Sequence, residues 1–234
     1  MLNYIRRTPI TKVAVTGSSG RVGRTVKEGL EGAGYDVIPL DLPETDVSIL
    51  PALIEATEGT DAIIHCAWKD LIENVQNNTI DPVNNLMTAN VYGAAVANGI
   101  RRVIMTSSNH AHAHDIRDGD GKIRITTRPE GVPNNPYGAE KLFMENLGRH
   151  FAKEYGLEVI CWRIGNLNDE DRPKPSSPEN PQRWLSKRDL GRLAVACLSA
   201  EEVPDNFQNL YAVSRQEVFD WANVFGYEPL DGAD

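Results

Sequence analysis

Strand-like apolar runs alternate along this chain with helix-like stretches in which apolar and polar positions mix. The runs fall at 12–16, 36–40, 62–66, 102–106 and 158–163, with a weaker one at 209–213. Between them the pattern predicts helices at 21–33, 48–57, 83–98, 136–155 and 187–199, and a last one near 216–225. Such alternation is the signature of βαβ units and predicts a parallel sheet. Gly34, Gly99 and Gly156 follow three of the helices, where a glycine ends a helix by taking the left-handed conformation. No internal repeat interrupts the series.

Two connections are longer than a compact domain requires, 107–135 and the proline-rich 166–186. Both leave the carboxyl ends of predicted strands, where open doubly wound sheets bind their ligands, so both are expected to wall a substrate site. The predicted fold class is α/β, a Rossmann-type doubly wound parallel sheet with a small C-terminal substrate-binding appendage. Its expected divisions are a polar extension at 1–10, a dinucleotide-binding core at 11–165 and the appendage at 166–234.

The chain has 234 residues, 41% hydrophobic and 24% charged, enough for one α/β domain with a core. It has no apolar stretch of about 18 residues and no charged-then-apolar leader, so a cytoplasmic protein is expected. A net charge of −9 disfavours nucleic acid and anionic membranes as partners and leaves a small molecule. Cys66, Cys161 and Cys197 are widely spaced in apolar surroundings, which argues against a disulfide framework or a metal knuckle.

The first candidate for chemistry is Gly17-Ser18-Ser19-Gly20-Arg21-Val22-Gly23, between the first run and the first helix. Glycines at such a turn let backbone approach a pyrophosphate closely, although the spacing is G-x-x-G-x-x-G rather than the commoner G-x-G-x-x-G. A tight turn without a ligand is the bland alternative. Asp41, ending the second run, weighs against it, because an acid there accepts hydrogen bonds from the adenosine ribose and repels a 2′-phosphate. NAD is therefore expected over NADP. Asp46 and Val47 are placed to bracket the adenine, and Cys66 and Ala67 to present backbone to the cofactor. His65 is expected to be a packed strand histidine.

The second candidate joins Thr106-Ser107-Ser108-Asn109-His110, at the end of the fourth run, to Tyr137-Gly138-Ala139-Glu140-Lys141. Hydroxyls at a strand end could merely cap a turn. Tyr137 and Lys141 lie one helical turn apart on one face, where an ammonium can lower the phenol's pKa and make it a proton carrier.

Taken together, the glycine turn, Ser107/Ser108 and Tyr137-x-x-x-Lys141 resemble the short-chain dehydrogenase/reductase superfamily over nearly the whole chain after Ile10. The G-x-x-G-x-x-G spacing is similar to that of its extended branch, the NAD-dependent epimerases and dehydratases. Ser107-Ser108-Asn109-His110, Arg163-Ile164-Gly165-Asn166-Leu167, Trp184-Leu185-Ser186 with Arg188-Asp189, and Phe225-Gly226-Tyr227-Glu228-Pro229 resemble the uronate dehydrogenase-like sugar dehydrogenases within it.

The resemblance implies a catalytic set of Ser108, Tyr137, Lys141 and Asn84. Tyr137 would be the acid/base, Lys141 would hold its phenolate and the nicotinamide ribose, and Ser108 would orient the substrate hydroxyl. Asn84 would support the lysine. Ser107 and Ile164 would lie by the nicotinamide. Asn109, His110, Asn166 and Arg183 would touch the sugar.

The implied reaction is oxidation of a cyclic sugar's C1 hydroxyl to a lactone, with hydride passing to NAD and the proton to Tyr137, and no metal. An unperturbed phenol ionises near pH 10, so the base requires a shift of about three units, roughly 4 kcal/mol. Where uronate dehydrogenases are expected to carry an arginine for the sugar carboxylate, this chain has Glu179. Either Arg183, Arg172 or Lys69 takes that role, or the substrate is not a uronate but a neutral aldose or other sugar derivative. A nucleotide-sugar epimerase or reductase and a non-catalytic NAD(P)-sensing regulator are the alternatives. The resemblance also implies a homo-oligomer, with the helices 83–98 and 136–155 as contacts.

His110, His112 and His114 alternate, but in an extended stretch successive members would stand about 7 Å apart, too wide for one ion. Asp118-Gly119-Asp120-Gly121-Lys122-Ile123 resembles a calcium loop only at its centre, with Ile116 and Thr127 where ligands should stand. No metal is expected.

Overall fold

Strand β4 (Arg102–Ser108) and strand β5 (Glu158–Ile164) are buried at every residue along their length, as strands covered on both faces by helices must be. They lie inside a sheet formed with β1 (Lys12–Thr16), β2 (Asp36–Leu40), β3 (Ala62–His65) and β6 (Phe207–Ala212). Its order is β2-β1-β3-β4-β5-β6 and every pairing is parallel. The computed structural model describes residues 9–112, 131–175, 183–215 and 225–232.

Six helices accompany the sheet: α1 (Arg21–Gly32), α2 (Leu50–Ala56), α3 (Leu71–Asn77), α4 (Pro82–Ala97), α5 (Pro136–Tyr155) and α6 (Lys187–Ser199). Successive strand residues enter opposite layers. Val13, Val15, Ile104 and Trp162 pack with Leu30 of α1 and Leu190 of α6, whereas Ala14, Ile63, Val103 and Met105 pack with Val91 of α4 and Met144 of α5. No helix among the described residues is long and apolar enough to cross a membrane.

From β1 the chain turns to β2 on one side and then crosses to β3 on the other. The carboxyl ends of β1 and β3 therefore flank the point where the strand order reverses, the natural crevice of such a sheet.

Several boundaries differ from the sequence pattern. Strand β4 runs to Ser108, so Ser107 and Ser108 belong to the strand rather than to the loop after it. Helix α2 begins at Leu50, because Asp46 accepts from the backbone N–H (2.9 Å) and hydroxyl (2.7 Å) of Ser48 and folds 46–48 into a turn. Helix α3 is only seven residues long, too short for a periodicity to announce it. The expected helix at 216–225 lies outside the described residues except for Phe225, as does most of the polar extension.

Helix α5 is tied to the sheet by charge. The Glu145 carboxylate, fully buried, accepts from Arg163 on β5 at 2.9 and 2.7 Å, from the Ser107 hydroxyl on β4 at 2.6 Å and from Asn209 on β6 at 3.1 Å. A second carboxylate, Glu158, accepts from Arg102 at 2.8 Å and Arg101 at 3.1 Å at the opposite end of the sheet. Removing one member of a buried pair strands the other, which costs about 3–5 kcal/mol, whereas an exposed pair contributes about 0–1 kcal/mol. Glu145→Ala is therefore expected to lower the unfolding free energy in urea by several kcal/mol, and Lys27→Ala, which opens the exposed Lys27–Glu31 pair, by less than about 1 kcal/mol.

Candidate active site

The glycine turn meets the end of β3 with no room for side chains. Gly17 has φ +64°, and a Cβ on it would lie 2.6 Å from Ala67 backbone. A Cβ on Gly23 would lie 2.1 Å from the Gly17 carbonyl oxygen. Helix α1 starts with no side-chain cap at Gly20, so its first N–H groups face the crevice free to meet an anion. Beside the turn, Asp41 accepts from the Ser18 hydroxyl and from the Ser19 N–H at 3.2 Å. Its carboxylate is thereby held at the end of β2 while keeping acceptor capacity for a ribose. A cradle closed to any Cβ, followed by a bare helix start, fits a dinucleotide pyrophosphate.

The remaining predicted cofactor residues gather on the same edge. Arg21, Val22, Cys66 and Ile164 line a cleft of about 530 Å³ shared with the glycines. The Arg21 guanidinium is turned to Asp169, at 3.1 and 3.0 Å, so it ties α1 to the loop after β5. The Cys66 and Ala67 N–H groups donate to the Thr16 hydroxyl at 3.2 and 3.3 Å, and that hydroxyl meets His65 Nδ1 at 2.7 Å. Burial and the nearby Lys141 push His65 down to about 3, so it is a neutral packed histidine. Val47 is buried, its carbonyl accepting from Asn90 at 3.0 Å. The Asp46 side chain is engaged in the turn with Ser48, which lowers its pKa.

The second half of the cleft comes from β4 and the start of α5. Asn135 caps α5, its side-chain oxygen accepting from the Gly138 N–H at 2.7 Å, with Pro136 in the first turn. A Cβ on Gly138 would lie 2.0 Å from the His110 carbonyl oxygen, so the short helical turn at 109–111 packs directly on the head of α5. Tyr137, Ser108 and Lys141 consequently share one cleft wall, with His110 edge-on to the phenol at 5.9 Å. Ser108 accepts from the His110 N–H at 3.1 Å. Lys141 donates to the Thr106 carbonyl at 2.7 Å, and its ammonium lies 3.4 Å from the ring centre of Trp68.

The ionisation expected of the tyrosine is reversed in this chain on its own. Burial pushes the Tyr137 phenol up to about 12, against a hydrogen bond from Ser108, and pulls Lys141 down to about 7. The reason is placement: Lys141 is spent on Thr106 and Trp68, with its ammonium 5.6 Å from the Tyr137 ring centre.

Five other expected residues are engaged as follows. The Ser107 hydroxyl donates to Glu145 at 2.6 Å, while Ser107 lines the same cleft as Ser108. Both polar atoms of the Asn84 side chain are engaged on the Lys69 backbone, at 2.8 and 3.2 Å. Asn166 lines the cleft and pairs through its backbone with Arg183 and Leu185, at 2.6 and 3.1 Å. Asn109 is buried beside Ser108, their side chains meeting at 3.3 Å. Half-buried Arg183 lies near His110, close enough to lower the imidazole's pKa, after burial.

The candidates to replace the missing arginine differ in availability. Lys69 is exposed and paired with Asp81 at 3.2 Å, and Arg172 is exposed. Glu179, His114 and the 118–123 loop lie outside the described residues. Among the described residues no group of three or more His, Cys, Asp or Glu is arranged to hold a metal, and the three cysteines are unpaired.

The sequence pattern missed Trp68, the α3 residues Leu71, Ile72 and Val75 that line the cleft, and Glu145. Glu145 lies one helical turn beyond Lys141 on the same face, a signal that was available. Trp68 follows Ala67 at a strand's carboxyl end, also a place to look.

A model of the NAD dependent epimerase/dehydratase family matches residues 13–198. An L-arabinose 1-dehydrogenase (NAD(P)+) of Haloferax volcanii is 32% identical over 96% of this chain and 98% of its own. An NAD-dependent glucose-6-phosphate dehydrogenase of the same organism is 29% identical over 94% of each. Among solved structures, a mutant uronate dehydrogenase from Agrobacterium tumefaciens complexed with NAD superposes with a TM-score of 0.76 at 23% identity, over 95% of this chain and 86% of that one.

Two outcomes follow from the geometry. In the unliganded protein Tyr137 is a neutral phenol at pH 7 that ionises only as the pH rises toward about 12. Ultraviolet phenolate titrations of wild type and Tyr137→Phe should accordingly diverge only above about pH 11. Gly23→Ala forces a Cβ against the Gly17 carbonyl and should weaken dinucleotide binding at least about tenfold by calorimetric titration.

Proposed function

The chain belongs to the NAD dependent epimerase/dehydratase family, and from that premise we propose that it is an NAD-dependent sugar dehydrogenase. It oxidises the C1 hydroxyl of a cyclic sugar to the lactone, with Tyr137 as general base. The observation that carries this is the meeting of Ser108, Tyr137 and Lys141 on one wall of the cleft whose other end is the glycine turn. When bound, NAD supplies the hydride acceptor at nicotinamide C4 and a positive charge that favours the phenolate.

Each residue then has a physical task. Gly17, Gly20 and Gly23, with Ser19, Arg21 and Val22, present backbone to the pyrophosphate. Asp41 takes the adenosine ribose, and its charge, held by Ser18 and Ser19, disfavours a 2′-phosphate. Ser108 donates to the substrate oxygen, and Tyr137 accepts the hydroxyl proton as hydride leaves C1. Lys141, one turn along α5, would add its charge to that of the bound nicotinamide in opposing the burial that keeps the phenol protonated. Asn109, His110 and Asn166 face the sugar, and Ile164 covers the cofactor.

A neutral aldose is favoured over a uronate. Leu71, Ile72 and Val75 make one cleft wall apolar, and Lys69 is engaged by Asp81. The relative at 32% identity is an L-arabinose dehydrogenase. A uronate would fall to Arg183 to hold. Purified protein with NAD and a panel of aldoses, uronates and sugar phosphates, followed by absorbance of reduced cofactor, tests the proposal. Turnover of a free aldose and a loss of about 10²–10⁴ in kcat/KM for Tyr137→Phe are expected. NAD binding without turnover of any sugar would sink the reading.

A further inference from the structure

Trp68 is the residue of the cleft that the proposed reaction leaves without a task, and its neighbours are all of consequence. Its ring centre lies 3.4 Å from the Lys141 ammonium, and its edge meets the Tyr137 ring at 5.6 Å and 84°. We propose that Trp68 is a positioning residue for Lys141. The indole face, with the Thr106 carbonyl, holds the lysine cationic inside a buried pocket, and Asn84 fixes Trp68 through the Lys69 backbone. The inference rests on the reading of the site given above, in which Lys141 acts as a cation.

A buried ammonium must find negative potential or lose its proton. The groups facing Lys141 offer little of it. From β3 come His65, neutral because it is pushed down to about 3, and Cys66, a thiol pushed up to about 12. From β5 comes Cys161, whose thiol burial also raises. On α5 itself Tyr137 is held neutral, Glu145 is already matched by Arg163, and Glu140 is raised to about 7 by burial, with both oxygens unpartnered. The Thr106 carbonyl satisfies one N–H. The negative face of an indole, the best aromatic partner for a cation, is what remains.

Trp68 can serve this way only if its loop is fixed, and it is. Immediately after it, the Lys69 N–H donates to Asn84 at 2.8 Å and the Lys69 carbonyl accepts from Asn84 at 3.2 Å. Asn84 is fully buried on α4. Its support of the lysine is therefore indirect, through the backbone that carries the indole.

The test follows the Lys141 side-chain nitrogen by NMR in the full chain labelled with ¹⁵N-lysine, its resonance identified by its loss in Lys141→Arg. Trp68→Leu keeps apolar bulk and removes the ring, and should lower the Lys141 titration by about one pH unit, a tenfold change in the protonated ratio. Trp68→Phe retains a weaker ring face and should lie between the two. Asn84→Ala should shift it in the same direction as Trp68→Leu. Should Trp68→Leu fail to fold, Trp68→Phe decides alone, with about half a unit expected. The alkaline limb of kcat/KM against pH should move down with the titration. Lys141 titrating at the wild-type pH in the folded Trp68 variants overturns the proposal. A shifted titration without turnover of any sugar upholds it and instead overturns the dehydrogenase reading.

Discussion

The buried pair of Glu145 and Arg163 is the contact on which the geometry of the cleft depends. A carboxylate with no access to water must have its lone pairs filled, and Glu145 fills them from three strands at once: Ser107 on β4, Arg163 on β5 and Asn209 on β6. Apolar packing would let α5 slide along the sheet with modest penalty. Directed, desolvated hydrogen bonds do not, so the register of α5 against β4 is set. Glu145 is one turn from Lys141 and two from Tyr137, and fixing it therefore fixes where Lys141 meets Thr106 and where Tyr137 meets the cleft. The hydroxyl of Ser107 is consumed in the process, so of two adjacent cleft-lining serines only Ser108 keeps its hydroxyl off Glu145.

Within that frame the site is a contest between burial and charge. Burial in this pocket favours every neutral form, raising the Tyr137 phenol and lowering Lys141. The chain counters it with weak but directed partners: a carbonyl, a serine hydroxyl and an aromatic face. In the proposed reaction, positive charge brought by the cofactor would tip the phenol toward ionisation. It would hold the tyrosine inert until the other reactant is present, which suits a base beside a reactive cofactor.

The crevice at the other end follows from chain topology rather than from any single side chain. Strand order reverses at β1 and β3, so the chains leaving their paired carboxyl ends diverge to open a crevice, while the backbones at Gly17 and Ala67 stay in close approach. Asp41 is held there by Ser18 and Ser19, so its charge arrives already oriented. The family match over 13–198 spans both halves of this arrangement.

What could be learned from the sequence alone was whatever depends on local order. The strand and helix succession, the glycine turn, Asp41 at a strand end and the Tyr137–Lys141 spacing all follow from periodicity, steric limits and one-turn neighbours along a helix, and each reappears in the fold. Helix α3 was invisible because no periodic pattern extends beyond its seven residues, whereas that of the equally short α2 runs over 48–57. The partner of Ser107, the hold of Asn84 on the Lys69 backbone and the contact of Trp68 with Lys141 were decided only by tertiary structure. Each depends on which groups from distant strands and helices meet in a space closed to water. There the cost of an unpaired polar atom, which no local pattern encodes, chooses the partner.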